Sequence, residues 1–345
     1  MLKEYLNLLI SGQDLSREQA RNSMKIIMSG QASGSQIGSL LTALRLKGEN
    51  SEEIVGFAEI MRHFSRRTDC GRRDVVDTCG TGGDRKGTFN VSTAAAFVAA
   101  GAGATVAKHG NHGVSSTSGS ADVLKSLGVN IDLTPEETTQ AVSKLGVGFA
   151  YAPVFHPAMK YAGPTRRELG FRTVFNLLGP LTNPLGAKRQ LMGVYDGSLT
   201  GKIAEVLLQL GVDHAMVVYG LDGLDEITTT APSQISEVKD GQVTTYRIEP
   251  KDYGFTLCDP ADYQVSTPAE SAASIIQLLQ GRHGPKRDLV LINAAAALMV
   301  AGRSQDIREG IALSQRSIDS GAALGKLEEL RQYTCFRRGG TDDAR

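Results

Sequence analysis

The chain has 345 residues, with 37 Lys plus Arg against 37 Asp plus Glu and a formal charge of zero. That balance gives no electrostatic reason to sit on nucleic acid or an anionic membrane, so any strong positive field must be local. The length exceeds one compact core and predicts two domains, while the 39 glycines follow no period, which excludes a fibrous chain.

Four cysteines, Cys70, Cys79, Cys258 and Cys335, lack the paired spacing of a disulfide framework or a zinc knuckle. The start, Met1-Leu2-Lys3-Glu4-Tyr5, lacks the order of a signal peptide. The longest apolar stretches, such as Ser92 to Ala104, are too short to span a bilayer. The expectation is a cytoplasmic protein without a membrane partner.

The first seventy residues read as helices. Ser16-Arg17-Glu18-Gln19 has the pattern of a capping box, and Ile37, Leu40, Leu41 and Leu44 recur at helical spacing, as do Ile54, Phe57, Ala58 and Met61. At Asp74 the pattern changes to short apolar runs that alternate with helices. Strands are expected at Asp74–Thr78, Ala104–Lys108, Val147–Ala152, Gln190–Tyr195, Ala215–Tyr219, Glu237–Lys239 and Val243–Arg247. Helices are expected near 92–100, 121–127 and 200–210, with capped starts at Thr134-Pro135-Glu136-Glu137 and Thr267-Pro268-Ala269-Glu270. Such alternation predicts an α/β domain with a mostly parallel central sheet, whose ligands sit at the carboxyl ends of its strands. The basic stretch Pro157 to Pro184 interrupts the alternation and reads as an insertion that returns to the helical unit.

Two glycine-rich loops fall at those strand ends. The first is Asp77-Thr78-Cys79-Gly80-Thr81-Gly82-Gly83-Asp84, and the second runs from Lys108-His109-Gly110-Asn111-His112-Gly113 to Gly119-Ser120. Glycine lets backbone N–H groups approach an anion closely, and a strand leading through such a loop to a helix N-terminus is a phosphate cradle. Either loop alone is more often a turn with a cap; together they favour a phosphorylated, polyhydroxylated ligand. Asn90 or Ser92 can cap the helix after the first loop. Lys108, taken to follow its strand directly, can reach over the sheet edge toward an anion. The adjacent acids Asp225-Glu226, after a strand and a glycine turn, are ordinarily surface carboxylates, but beside a polyphosphate they suit magnesium. Arg166 and Arg167 can each grip a carboxylate or phosphate, one of them being expected to face solvent or pair with Glu168.

These residues converge on a known family. The chain closely resembles the anthranilate phosphoribosyltransferases in Gly80-Thr81-Gly82-Gly83-Asp84, Asn90-Val91-Ser92-Thr93, Lys108-His109-Gly110-Asn111, Ser118-Gly119-Ser120-Ala121-Asp122, His156-Pro157-Ala158-Met159-Lys160, the run Arg172 to Leu181, and Asp225-Glu226. The resemblance extends to about residue 335. It implies a small all-helical domain (1–72 plus about 160–188) hinged to a larger α/β domain (73–159 plus 189–345), as a homodimer through the helical domains. It implies transfer of the phosphoribosyl group of phosphoribosyl pyrophosphate (PRPP) to the amine of anthranilate, in tryptophan biosynthesis. By resemblance, PRPP is held by Gly80, Gly83, Asp84, Thr88, Asn90, Val91, Ser92 and Thr93, by Lys108, His109, Gly110, Asn111, His112, Gly113, Val114, Ser115 and Ser116, and by Ser120. Gly80, Asn111 and Arg166 are implied contacts of anthranilate. Ser92, Asp225 and Glu226 are the implied ligands of two magnesium ions, and Lys108 and Arg166 the groups closest to the chemistry. His112 stands where the family commonly has an arginine. Two other readings share parts of the pattern: a pyrimidine nucleoside phosphorylase, which needs no magnesium pair, and a non-catalytic phosphate- or nucleic-acid-binding relative, which the zero net charge disfavours.

Overall fold

The computed structural model describes residues 2–84, 86–113 and 119–336. Four helices open the chain: α1 (Leu2–Ile10), α2 (Arg17–Met28), α3 (Gly34–Lys47) and α4 (Ser51–Phe64). The last three each begin with a capping box, built on Ser16 with Gln19, Ser33 with Gln36 and Asn50 with Glu53. Each box satisfies two orphan backbone donors reciprocally, which fixes the helix start.

The alternating part follows: β1 (Val75–Gly80), α5 (Val91–Gly101), β2 (Thr105–Gly110), α6 (Ser120–Ser126), α7 (Pro135–Leu145) and β3 (Val147–Tyr151). Short helices α8 (Ala152–Phe155), α9 (Gly163–Leu169) and α10 (Val174–Leu178) interrupt it. It resumes with β4 (Arg189–Gly193), α11 (Leu199–Gln209) and β5 (His214–Gly220), then the hairpin β6 (Ser233–Lys239) and β7 (Gln242–Ile248). Helices α12 (Pro268–Leu279), α13 (Pro285–Val300), α14 (Ile307–Asp319) and α15 (Ala322–Phe336) complete the described chain. Among the described residues no helix is long and apolar enough to cross a membrane.

The seven strands form one sheet in the order β3-β2-β1-β4-β5-β6-β7. The first five are parallel, and β6 and β7 join antiparallel. The sheet is therefore mostly parallel, as expected, with a hairpin edge turned by Asp240 and Gly241, both at positive φ. Its two faces alternate along each strand: Leu191 and Met216 join the core that holds α5 and α13. Met192 and Val217 face the opposite way, into a core continuous with α11 and with Leu40, Ile54 and Phe57 of the helical region. Alanines 94–96, 99 and 100 of α5 and 294–297 of α13 are buried there, small enough for these helices to lie close to one another and to the sheet. Helices α9 and α10 lie against α3 and α4 rather than on the sheet; Thr165 of α9 sits beside Gly34 and Gly38 of α3.

Two boundaries differ from expectation in a way that matters. β1 runs to Gly80 and β2 to Gly110, because the ladders β1–β4 and β2–β3 pair Gly80 with Gly193 and Gly110 with Tyr151. Lys108 and His109 are thus strand residues with buried side chains, not the start of a loop. The reading of Lys108 as a side chain reaching over the sheet edge is overturned by this longer pairing.

Candidate active site

Strands β1, β2, β4 and β5 all end in glycine at the same edge of the sheet: Gly80, Gly110, Gly193 and Gly220. At Gly193 the reason is a close approach. A Cβ there would lie 1.6 Å from the carbonyl oxygen of Asp225, so only glycine lets the 220–233 turn fold down onto the strand end. At Gly110 a Cβ would lie 2.1 Å from Ser120 Oγ, where α6 begins.

Above this rim is a cleft of about 280 Å³. It gathers Gly80, Gly83, Asp84, Thr88, Asn90, Val91 and Ser92 from the first loop and the start of α5. From β2 and the second loop come Lys108, His109, Gly110, Asn111, His112, Gly113 and Ser120; Arg166, Asp225 and Glu226 close the ring. Val114, Ser115 and Ser116 lie outside the described residues. Thr93 does not line the cleft: it is buried in the first turn of α5, and its N–H donates to Asn90 Oδ1 at 3.0 Å. Asn90 is therefore the cap, and Ser92 lies inside the helix.

The floor of the cleft is a buried polar network. Lys108 Nζ donates to the Thr78 carbonyl and, at 3.0 Å, to Ser92 Oγ. Burial pushes the pKa of this ammonium down, against the pull of Asp77, Cys79, Glu226 and Asp225. Asp77 accepts from the His109 N–H at 3.0 Å and from Asn183 Nδ2 at 2.8 Å, and burial raises its pKa to about 6. The His109 imidazole lies 5.1 Å from that of His156. Burial, reinforced by His156, holds His109 well below the usual histidine range, so it is neutral.

Asp225 and Glu226 face the cleft with Asp84 beside them. Desolvation, then repulsion from Asp84, raises the Asp225 pKa to about 7. Desolvation and Asp225 push Glu226 up as well, opposed by Lys108. Asp225 and Glu226, adjacent on one turn, are two hard oxygen donors of the kind magnesium takes alongside water and phosphate oxygens. The residues present therefore fit magnesium: Asp225 and Glu226 would hold it, with the Ser92 hydroxyl alongside. Among the described residues no three His, Cys, Asp or Glu side chains group so as to hold an ion alone.

On the opposite wall Arg166 points inward and Arg167 is exposed. The Arg166 guanidinium stands 5.0 Å over the Phe175 ring, and burial lowers its pKa to about 10. Among the described residues no carboxylate pairs with it. His112 is engaged by the chain itself: Nδ1 meets Asp122 Oδ1, and the ring packs edge-on to Tyr151 at 5.4 Å. Phe175, Asn176, Gly179 and Pro180 also line the cleft; they belong to the run 172–181 but carry no charge that would single them out. Arg172, which opens that run and to which the sequence reading gives no role, stacks on Tyr195 at 4.3 Å and donates to the Gly83 carbonyl, tying the α9–α10 region to the first loop.

A mostly parallel α/β sheet with a glycine-rimmed cleft, beside a helical bundle, is the arrangement of the glycosyl transferase family, whose two domains match this chain. The helical bundle domain of the glycosyl transferase family covers residues 3–65, and its a/b domain covers 72–324. An anthranilate phosphoribosyltransferase of Acetivibrio thermocellus is 51% identical over 335 residues, covering 97% of each chain. The crystal structure of the Thermus thermophilus enzyme superposes with a TM-score of 0.90 at 40% identity, covering 96% of this chain and 99% of that one. The Saccharomyces cerevisiae enzyme, solved with PRPP and Mg, gives 0.89 at 29% identity and 97% and 98% coverage; it has also been solved with 4-fluoroanthranilate. The chain belongs to the anthranilate phosphoribosyltransferase family.

Proposed function

We propose that the protein transfers the phosphoribosyl group of PRPP to the amine of anthranilate, releasing pyrophosphate. The observation that carries the reading is the placement of opposite chemistries on two walls of one cleft. Asp225, Glu226 and the glycine loops lie on one side, and the Arg166 cation, without a carboxylate partner among the described residues, on the other. Backbone N–H groups of the loops and the start of α5 suit phosphate oxygens. Magnesium, when bound, neutralises charge that develops on the departing pyrophosphate. Ser92 and Lys108 support the metal side, with Lys108 fixed under Ser92 rather than free to move. Arg166 suits the carboxylate of anthranilate, and Asn111 its amine. An aromatic amine is neutral and nucleophilic near pH 7, so orientation does much of the work. The N–C1 bond forms as the C1–O bond to pyrophosphate breaks, and the amine proton leaves to solvent.

The same reading takes residues 1–72 with about 160–188 as the helical domain and 73–159 with 189–345 as the larger one, and closure between them brings the substrates together. It includes two magnesium ions, a cytoplasmic setting and a homodimer through the helical domains. The exposed apolar side chains of Ile10 and Leu46 support that last choice. The test is the loss of anthranilate fluorescence. Loss that requires protein, PRPP and magnesium together is expected. No loss, with phosphate-dependent cleavage of thymidine or uridine instead, would make the protein a nucleoside phosphorylase.

A further inference from the structure

Asp225 and Glu226 sit on a turn that is held from both sides by side chains outside the cleft. On the leading side, the Asp222 carboxylate accepts from the Leu224 N–H at 3.1 Å through Oδ1. Its Oδ2 accepts from the Thr228 hydroxyl at 2.7 Å and from the Thr230 hydroxyl. On the trailing side, Asn293 of α13 is fully buried. Its Oδ1 accepts from the Ile227 N–H at 3.0 Å, and its Nδ2 donates to the Ile227 carbonyl at 2.8 Å. The remaining Nδ2 hydrogen goes to the Leu289 carbonyl at 2.8 Å. The amide thus pairs with both backbone groups of Ile227 as a neighbouring strand would. Between the two holds, at 224 and 227, lie only Asp225 and Glu226.

We infer that Asp222 and Asn293 are positioning residues for the metal: they set the place of the Asp225-Glu226 pair without touching substrate. This deepens the magnesium reading above and rests on it. Ile227 is wholly buried, so without the amide its N–H and carbonyl are left unpaired in a dry core. The relief open to them is movement of the turn, and that movement carries Glu226. Magnesium demands near-ideal octahedral geometry at short range, so displaced carboxylates lose affinity for it. A group that served only to hold the core would change stability and leave metal affinity alone.

The experiment measures binding of Mn²⁺, with inorganic pyrophosphate present, to the full chain by electron paramagnetic resonance. Asn293→Ala and Asp222→Ala are expected to weaken Mn²⁺ about 10- to 100-fold, the range for groups that orient metal ligands. The Arg166 side should be undisturbed, so the KM for anthranilate stays put at saturating metal. Asp222→Asn keeps an oxygen for the Leu224 N–H and should recover most of the affinity. Wild-type Mn²⁺ binding in both alanine variants, with binding lost in Asp225→Asn, would overturn the positioning role while leaving the metal site standing. Wild-type binding in Asp225→Asn would remove the metal site itself and the inference with it. If Asn293→Ala does not fold, the Asp222→Ala and Asp222→Asn pair decides alone.

Discussion

Arg166 and His156 are basic side chains whose surroundings decide what each one does, burial lowering the pKa of both. Arg166 faces the cleft over Phe175 with its guanidinium partly desolvated. A charged hydrogen bond contributes about 1.5–3 kcal/mol, so Arg166→Ala should raise the KM for anthranilate about 10- to 150-fold and leave that for PRPP little changed. Steady-state kinetics with each substrate varied in turn checks this; equal losses on both substrates would contradict it. His156 is buried, and desolvation lowers its pKa from 6.5 to about 4. Its folded pKa lies below the unfolded one, so the unfolded chain takes up the proton first as pH falls. Stability from this group is fully present above 6.5 and is lost as pH falls from 6.5 to 4, by about 3 kcal/mol. Urea unfolding at pH 7 and pH 4.5 should show a steeper acid loss in the wild type than in His156→Gln. The glycine loops of the cleft and their polar residues were legible because each loop is contiguous in sequence and two of them occur together, each between an apolar run and a helix start. Asn293 and Gly193 were not, since nothing local marks an amide or a glycine whose partner lies far along the chain.

Local signals located helices better than strand ends. The capping pattern at Ser16, the Thr134-Pro135 start and the Thr267-Pro268 start all appear as read, because a cap is a contact between residues three apart. Strand limits depend on pairing with segments far away in sequence, and so β1 and β2 each extend further than their apolar runs suggested. The antiparallel hairpin was available in Lys239-Asp240-Gly241-Gln242, whose Asp-Gly pair favours a two-residue turn. At the end of β4, the contact between Gly193 and the Asp225 carbonyl gives an element-scale prediction. In Gly193→Ala the strand is locked in its ladder with β1 and β5, so the 220–233 turn must move instead. Activity should fall at least about 100-fold, as expected when catalytic groups shift by an ångström. Far-ultraviolet circular dichroism should stay that of the wild type, and near-normal turnover would show that the turn absorbs a methyl group.

At the scale of the whole molecule, the segment that returns from α9 and α10 to the sheet is pinned by side chains from three directions. Asn183 Nδ2 donates to Asp77 Oδ2 and to the Ala107 carbonyl, both at 2.8 Å, joining the segment to β1 and β2. Gln190 Nε2 donates to the Pro180 carbonyl at 2.7 Å, and Arg62 Nε of α4 to the Leu181 carbonyl at 2.8 Å. Gly179 and Pro180 form part of the wall near Arg166, so these pins set the distance between the anion loops and the Arg166 side. No sequence pattern links residues 62, 77, 107, 183 and 190; only the folded chain brings them together. Asn183→Ala removes a donor from a buried carboxylate, which should cost about 1.5–3 kcal/mol of stability at pH 7. The Asp77 pKa is raised to about 6, so the cost should shrink as pH falls below 6 and the carboxyl takes up a proton. The wall carrying Pro180 would shift more than the glycine loops, which are held within the sheet ladder. The KM for anthranilate should therefore rise more than the KM for PRPP, as initial-rate measurements beside urea titrations at pH 5 and pH 7 would show. A rise confined to PRPP would mean that the returning segment serves the phosphate loops instead.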